Sequence, residues 1–402
     1  MSRAGPTLPR RIAHFDLDTF FVAVERVRDP ELVGKPVLVG GRGRRAVVAA
    51  ASYESRRFGC HSAQPMTQAL RLCPQAIVLP PDRGEYSRVS RLFHELLRDL
   101  SPVVESVGID EAYVDLTGIG DPVTGAAAAA EATRARVRSE LGIAVSVCIA
   151  GSRTTAKVGS DRAKPDGLIE VPPGADAAFL APRPVRDLPL VGPRLAEALA
   201  AAGVHSIGDI AALDARWLEQ RFGRMGLAVH ERAHGEDPTP VRAGARPNRS
   251  VSREVTFDED VTDRSLLHRV LARHAERVGA DLRRDGRRAR TVTLKLRWND
   301  FTTLTRSRTL ARPAQSTVAL AEPADALLEE LVGSEGMRPV RLIGLGASNL
   351  VEDVLQLEFG DLLDAEAGAA VETGGPLRDE RLDRALDEIR ERFGDAAVSR
   401  GL

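Results

Sequence analysis

Two short apolar segments carry acidic residues where a core strand would normally have none. The first segment reads HFDLDTFF, with Asp16 and Asp18, and the second reads GIDEAYVD, with Asp110, Glu111 and Asp115. Carboxylates are costly to bury unless a cation or hydrogen bonds compensate them. Any fold of this chain must therefore supply such compensation, and hard oxygen ligands converging from two strands suit Mg²⁺.

Strand geometry adds a condition to this interpretation. Neighbours Asp110 and Glu111 would point to opposite faces of a regular strand, so joint ligation requires a turn or bulge between them. Either segment alone is weak evidence, because a pair of aspartates at a strand end is more often structural than catalytic.

Strands alternate with helices through the first part of the chain, which indicates the α/β or α+β class. Strands are predicted at 12–15, 143–152, and as pairs within 36–52 and 103–118; helices are predicted at 20–27, 85–100 and 125–141. From 184 to 237 the pattern becomes helical with short glycine turns. This region resembles a helix-hairpin-helix unit, although Leu190 holds the first glycine position and only Gly192 remains.

The charge distribution is uneven although the net charge is only −1. Residues 241–312 contain 18 basic and 9 acidic residues, whereas residues 351–402 contain 6 arginines and 14 acidic residues. Within 290–310, polar Thr291, Thr293, Lys295 and Arg297 alternate with apolar residues, and a second such stretch at 248–257 carries Arg249 and Arg253. A sheet with a cationic face suits a phosphate backbone; a solvated sheet face is the alternative.

The remaining composition excludes several protein classes. No run of about 18 uncharged apolar residues occurs, and the N-terminus lacks the apolar core of a signal peptide, so a cytoplasmic protein without membrane contact is expected. The three cysteines lie far apart without a C-x-x-C pair, which favours buried thiols over disulfides or a zinc site.

Seven segments in order resemble the Y-family DNA polymerases of the DNA polymerase IV type, which act in translesion synthesis. They are HFDLDTFFVAVE, ASYESRRFG, GIDEAYVDLTG, AKPDG, GVHSIGDI, FTTLTRSRTL and RPVRLIGLG. The resemblance implies an α+β multidomain fold, a right-handed polymerase with palm, small fingers, helical thumb and a C-terminal α/β little finger. The implied boundaries are palm 1–18 and 82–172, fingers 19–81, thumb 173–240, linker 241–249, little finger 250–355 and acidic tail 356–402.

The resemblance also assigns the carboxylates. Asp16, Asp110 and Glu111 would be the catalytic metal ligands, and the main-chain carbonyl of Phe15 or Leu17 would complete one coordination shell. Two Mg²⁺ ions are implied, with Mn²⁺ as a substitute. Asp18 and Asp115 would be structural.

Further roles follow from the same resemblance. Tyr53, Arg56 and Lys164 would hold the incoming triphosphate, and Phe21 would be the steric gate that excludes a ribose 2′-hydroxyl. Lys164 stands out among the basic residues, since lysine occurs only at 35, 157, 164 and 295. Small Ala49, Ala50 and Ala51 either leave the site open over the nascent base pair or pack against a close neighbour. Gly108 stands where the family usually has serine, two residues before Asp110, which removes a hydroxyl and loosens the backbone. 

The predicted DNA-binding and partner-binding residues lie towards the C-terminus. Contacts to primer-template DNA are expected from Arg249, Arg253, Lys295, Arg297, Arg306 and Arg308. The segment QLEF (Gln356, Leu357 and Phe359) lies where the family carries a sliding-clamp peptide but is one residue short. An amphipathic helix is predicted at 381–394, and a monomer is expected.

The predicted activity is low-fidelity, template-directed addition of deoxynucleotides to a primer 3′ end, by a nucleotidyltransferase without a proofreading exonuclease. A phosphatase of the haloacid-dehalogenase type also begins with D-x-D after a strand, but it has Thr or Val where this chain has Phe20. A non-catalytic scaffold in damage tolerance is the other alternative; the presence of all three carboxylates argues against it.

Overall fold

The computed structural model describes residues 8–121, 124–244, 248–352, 376–394 and 397–398, and the chain divides into two compact units, Met1–Ala245 and Arg246–Leu402. The strands of the first unit are β1 Ile12–Leu17, β2 Val37–Gly40, β3 Val48–Ala51, β4 Ile77–Leu79, β5 Val104–Ser106, β6 Glu111–Asp115, β7 Val145–Ala150 and β8 Leu168–Glu170. Its α-helices are α1 Phe20–Arg28, α2 Tyr53–Arg56, α3 Met66–Leu72, α4 Arg83–Leu100, α5 Gly125–Leu141, α6 Arg153–Ala163, α7 Asp176–Leu180, α8 Pro193–Ala201, α9 Ile207–Ala211, α10 Ala215–Phe222 and α11 Arg224–Ala233; short 3₁₀ helices occur at Pro30–Leu32 and Val185–Asp187.

A five-stranded sheet in the order β5-β6-β1-β7-β8 forms the centre of the first unit. Strand β1 is antiparallel to both of its neighbours, and every residue of β1 is buried. The apolar residues of β1 and β7 pack with α1, α4 and α5 into one core. The acidic segments identified in the sequence therefore lie on adjacent central strands.

Helix α6 packs unusually close to this sheet. Ser152 caps its N-terminus by accepting a hydrogen bond from the Thr155 backbone N–H. A Cβ atom added at Gly159 would lie only 2.1 Å from Sγ of Cys148 on β7. Glycine at this position lets the helix backbone approach the strand directly.

The remainder of the first unit contains a small sheet and a helical region. Strands β3, β2 and β4 form the small sheet, with β2 and β3 as the antiparallel pair predicted around the Gly-rich turn. In the helical region, Leu190 has φ of +78°, the left-handed conformation that favours glycine, and Gly192 caps α8. The hairpin thus adopts the backbone that its missing glycine would have favoured.

The segment after the helices packs back onto the first unit. Val241 is buried, and the backbone N–H of Arg242 donates a hydrogen bond of 3.0 Å to Glu105 on β5. Arg153 on α6 donates to the carbonyl of Pro240 at 3.0 Å. The first residues of the expected 241–249 linker are therefore part of the packed structure.

The second unit is a four-stranded antiparallel sheet in the order β11-β10-β12-β9. Its elements are β9 Ser250–Val261, α12 Arg264–Arg284, β10 Arg287–Trp298, β11 Thr303–Ala314, α13 Thr317–Glu335, β12 Val340–Glu352 and α14 Pro376–Phe393. Helices α12 and α13 cover one face, against which the predicted apolar residues of β10 are fully buried. We call this the helix face and the opposite surface the open face.

The C-terminal helix α14 contacts α12 and α13, so it lies on the helix side of this unit. It begins several residues before the predicted start at 381. Asp383 is 2% exposed and accepts hydrogen bonds from the backbone N–H and hydroxyl of Thr317, at 2.7 and 3.0 Å. Arg283 contacts Asp383 at 3.3 Å and Asp387 at 2.7 Å. These acidic residues are engaged in docking a helix.

Candidate active site and open sheet face

The pairing of β1 with β6 brings the two acidic segments together. Asp16 lies directly opposite Glu111, and Asp16 is 5% exposed. Asp110 lies in the bend just before β6, and its carbonyl accepts a hydrogen bond of 2.9 Å from the Leu17 backbone N–H. The bend provides the break in strand alternation that joint use of Asp110 and Glu111 requires.

A compact set of ligand atoms is formed by His14, Asp16 and Glu111, which offer atoms within 4.8 Å of one another. Asp110 does not join this set, but burial and the charges of Asp16 and Glu111 raise the pKa of Asp110 to about 6. His14 was not identified from the sequence, although it lies two residues before Asp16 and so on the same face of β1. Its Nδ1 is 2.7 Å from the Ser160 hydroxyl, and burial lowers its pKa well below the usual value.

Two lysine ammonium groups reach these carboxylates. Nζ of Lys157 is 2.7 Å from Glu111 Oε2 and 3.2 Å from Asp16 Oδ2. Nζ of Lys164 is 2.8 Å from the same Asp16 oxygen. Burial lowers the pKa of Lys157, but the charges of Asp16, Asp161 and Glu111 outweigh burial, and its pKa is raised overall. Lys157 was given no role from the sequence; its one signal was the scarcity of lysine.

Asp18 is held by hydrogen bonds rather than by the lysines. Its carboxylate accepts from the Ser146 hydroxyl at 2.9 Å, the Asp166 backbone N–H at 2.6 Å and the Tyr53 hydroxyl at 3.3 Å. Burial is the main reason that the pKa of Asp18 is raised. Asp115 accepts from the Thr117 backbone N–H at 2.9 Å. The hydrogen bonds of both residues are consistent with the structural roles expected for them.

The predicted triphosphate contacts lie near the same aspartates. Tyr53 contacts Asp18 as described above, and burial, followed by the charge of Asp18, raises the Tyr53 pKa. The guanidinium of Arg56 lies 5.2 Å from the centre of the Tyr53 ring and donates to the carbonyl of Ala51 at 3.0 Å. On β3, Ala50 and Ala51 are buried while Ala49 is exposed.

The predicted steric gate has a rigid support. The ring of Phe21 stacks on Tyr86 with centroids 4.2 Å apart and planes at 11°. Tyr86 is fully buried, and its hydroxyl donates to Glu25 at 2.7 Å. Its neighbour Phe20 is buried in the core. The stacking fixes where the Phe21 ring can lie.

Glycine at 108 leaves space that Glu111 occupies. A Cβ atom added at Gly108 would lie 2.9 Å from Glu111 Cγ. A serine at this position would therefore require the Glu111 side chain to shift. Glycine at this position therefore leaves room for the Glu111 side chain where it lies.

The sheet of the second unit does not present all the predicted cationic residues on one face. Lys295 and Arg297 lie on the open face, opposite Thr305 and Thr303 of β11. Arg306 and Arg308 pair with Leu294 and Val292 instead, which places them on the helix face.

Contacts with α13 and α12 agree with this register. Arg306 and Arg308 form ion pairs with Glu335 and Glu330 of α13. Arg253 lies opposite Leu345 and forms an ion pair with Asp281 of α12. The cationic face expected from the alternation therefore does not include Arg253. Arg306 and Arg308, whose face the sequence left open, also lie on the helix face, because adjacent residues along a strand alternate between faces.

The open face consists mainly of small residues. Its members beside Lys295 and Arg297 include Ser250, Ser252, Thr291, Thr293, Thr303, Thr305, Ser307, Gly344, Gly346 and Ser348. Lys295 forms an ion pair with Glu254 at 2.8 Å. Arg249 is exposed and precedes β9. The predicted clamp residues Gln356, Leu357 and Phe359 lie outside the described residues.

Among the residues that the structure describes, no helix is both long and apolar enough to cross a bilayer. All three cysteines are buried free thiols, as the sequence predicted.

Sequence and structure comparisons agree on one family. The impB/mucB/samB family matches residues 15–161, and the C-terminal domain of that family matches residues 248–359. The DNA polymerase IV of Dehalococcoides mccartyi (strain CBDB1) is 40% identical over 98% of this chain and 97% of its own length. That of Methanoculleus marisnigri is 42% identical over 85% of this chain and 94% of its own.

A solved structure extends the agreement to the fold. A Y-family DNA polymerase chimera superposes with a TM-score of 0.77 at 25% identity, covering 85% of this chain and 99% of the chimera. The first match spans every proposed metal ligand, and the second spans the sheet of the second unit. The chain therefore belongs to the impB/mucB/samB family, the Y-family of DNA polymerases.

Proposed function

We infer that the chain is a translesion DNA polymerase that adds deoxynucleotides to a primer 3′ end under the direction of a template. The observation that carries this inference is the pairing of Asp16 with Glu111 on adjacent strands, with Asp110 in the bend beside them. Relatives named DNA polymerase IV match nearly the whole chain, which disfavours a scaffold that has lost catalysis.

The donor set fits a divalent metal that prefers oxygen. Asp16, Asp110 and Glu111 are carboxylates, and the carbonyl of Phe15 or Leu17 adds a neutral oxygen. Burial, followed by the charges of Asp16 and Glu111, raises the pKa of Asp110. Two Mg²⁺ ions, or Mn²⁺ as a substitute, would lower the pKa of the primer hydroxyl and hold the triphosphate and the pyrophosphate leaving group.

The protein's own residues bind and orient the nucleotide. Tyr53, Arg56 and Lys164 supply a hydroxyl and two cationic groups for the β- and γ-phosphates; Tyr53 and Lys164 contact Asp18 and Asp16 directly. The Phe21 ring, fixed by Tyr86, would collide with a ribose 2′-hydroxyl and so select deoxynucleotides.

Primer extension with Mg²⁺ tests the catalytic assignment. We expect Asp110→Asn and Glu111→Gln to abolish extension, because a neutral amide cannot replace a metal-binding carboxylate. Asp115→Asn is the matched control, since its amide oxygen can still accept from the Thr117 backbone. Extension that survives in Asp110→Asn would exclude Asp110 as an essential ligand.

We propose further that the open face contacts the DNA backbone. Lys295 and Arg297 supply charge, and the surrounding hydroxyls can donate to phosphate oxygens without reading base sequence. Substituting methionine for either residue should make the plot of log affinity against log salt concentration shallower, reducing the magnitude of its negative slope by about 1. Arg306→Met, on the helix face, is the matched control and should leave the slope unchanged.

Clamp binding through Gln356, Leu357 and Phe359 remains a proposal from the sequence. Leu357→Ala together with Phe359→Ala should remove any stimulation of extension by a sliding clamp while leaving clamp-free extension unaltered. Stimulation that persists would exclude this segment as the docking peptide.

A further inference from the structure

The ammonium of Lys157 lies between two proposed ligands that come from different strands. Its Nζ atom is 3.2 Å from Asp16 Oδ2 on β1 and 2.7 Å from Glu111 Oε2 on β6. The side chain is 27% exposed, so the contact is only partly open to solvent. No other lysine bridges the two strands among the residues that the structure describes.

This bridge offsets a repulsion that the fold creates. The register of β1 and β6 places Asp16 and Glu111 opposite each other, and the bend adds Asp110. Like charges this close repel strongly in a partly buried site. Lys157 reaches them from α6, which can approach the sheet closely because Gly159 has no Cβ to collide with Cys148.

A divalent cation would compete for the same oxygens. An ion bound to Asp16 Oδ2 and Glu111 Oε2 would adjoin the ammonium, and two positive groups repel each other. Asp161, one turn further along α6, lies 3.7 Å from Lys157 Nζ and is half exposed. It offers a second partner for an ammonium that leaves the carboxylates.

We propose that Lys157 is a positioning residue whose ammonium holds Asp16 and Glu111 together before metal binds and then competes with the metal for them. The inference rests on the proposed metal ligands. Lys157 then has two opposing effects, because the ammonium that stabilises the metal-free site also weakens metal binding.

Direct metal binding and metal-free stability test this proposal together. We would measure Mn²⁺ binding to the full chain from the electron paramagnetic resonance signal of free Mn²⁺, and thermal unfolding in the presence of a chelator. Lys157→Met keeps the length of the side chain and removes its charge. We expect Mn²⁺ to bind about tenfold more tightly, which corresponds to about 1.4 kcal/mol, and the metal-free midpoint to fall.

Two further variants separate this role from general damage to the fold. Lys35→Met removes an exposed lysine of the small-sheet region and should change neither measurement. Lys157→Arg retains the positive charge and should keep Mn²⁺ affinity within about threefold of wild type. If Lys157→Met does not fold, Lys157→Gln carries the same expectation.

Mn²⁺ binding distinguishes a failure of the Lys157 role from a failure of the proposed metal site. The proposed competition predicts tighter Mn²⁺ binding in the neutral variants. Unchanged binding would mean that Lys157 does not compete with the metal, and weaker binding would mean that it only supports the fold; either result would overturn the proposal. Absence of Mn²⁺ binding to wild type would instead remove the metal site, and with it this inference.

Discussion

Replacing Asp383 with alanine should undock the C-terminal helix and destabilise the second unit. The substitution removes two hydrogen bonds to Thr317, of 2.7 and 3.0 Å, and the contact with Arg283 at 3.3 Å. Thr317 is the first residue of α13, so the lost carboxylate also faces the positive end of a helix dipole.

The expected loss of unfolding free energy depends on which partners Arg283 keeps after the substitution. Removing one partner of a buried ion pair costs about 3–5 kcal/mol when the other charge is left alone. Arg283 keeps Asp387 at 2.7 Å and the Gln315 carbonyl at 2.8 Å, so the lower end applies, at about 3 kcal/mol. For a unit of residues 246–402, this lowers the melting midpoint by about 6–12 °C.

The two tryptophans of the chain allow a direct assay. Trp298 is fully buried in the second unit, and Trp217 lies half-exposed in the first. In a Trp217→Phe background, fluorescence during urea unfolding reports the second unit alone, and the midpoint should fall by about 1 M or more. The control Glu391→Ala removes an exposed acid from the same helix. Equal midpoints for the two variants would refute the reasoning.

Three other predictions follow from the described contacts. Without divalent metal, protonation of Asp110 should stabilise the fold as pH falls through about 6, since its folded-state pKa exceeds the unfolded value, and Asp110→Asn should flatten this rise in urea unfolding. Phe21→Ala should admit ribonucleotides in primer extension, and unchanged selectivity would exclude the gate. Burial lowers the pKa of His268, but Asp325 and Glu329 outweigh burial and raise it overall. Its stabilisation should be complete below pH ~6.5 and lost as pH rises through the raised pKa, and His268→Gln should remove that dependence.

The sequence predicted structure best where a local residue pattern is compatible with only one arrangement of the backbone or side chains. The alternation around Lys295 predicted a strand with a buried apolar face, and Leu294 and Leu296 are fully buried. The acids of β1 and β6 signalled a site because carboxylates inside apolar strands need compensation.

Cross-strand relations could not be predicted in the same way. Arg306 and Arg308 share a sequence pattern with Lys295 and Arg297, yet pairing register sets which face each pair occupies. Lys157 is 46 residues from Glu111 and 141 from Asp16, so only the packed helix reveals the bridge. Nor could the sequence show that α14 lies on the helix side and pairs with Arg283 and Arg288.

Because Gly159 has no Cβ, α6 lies close to Cys148 on the sheet. The distance between α6 and the sheet in turn sets how far Lys157 lies from the carboxylates. Alanine at 159 would push α6 outwards and carry Lys157 away from the carboxylates, because its Cβ would overlap the thiol. A compensating Cys148→Gly would restore the room. Two residues that touch neither metal nor substrate could thus tune cation affinity, which offers protein engineers a control separate from every ligand.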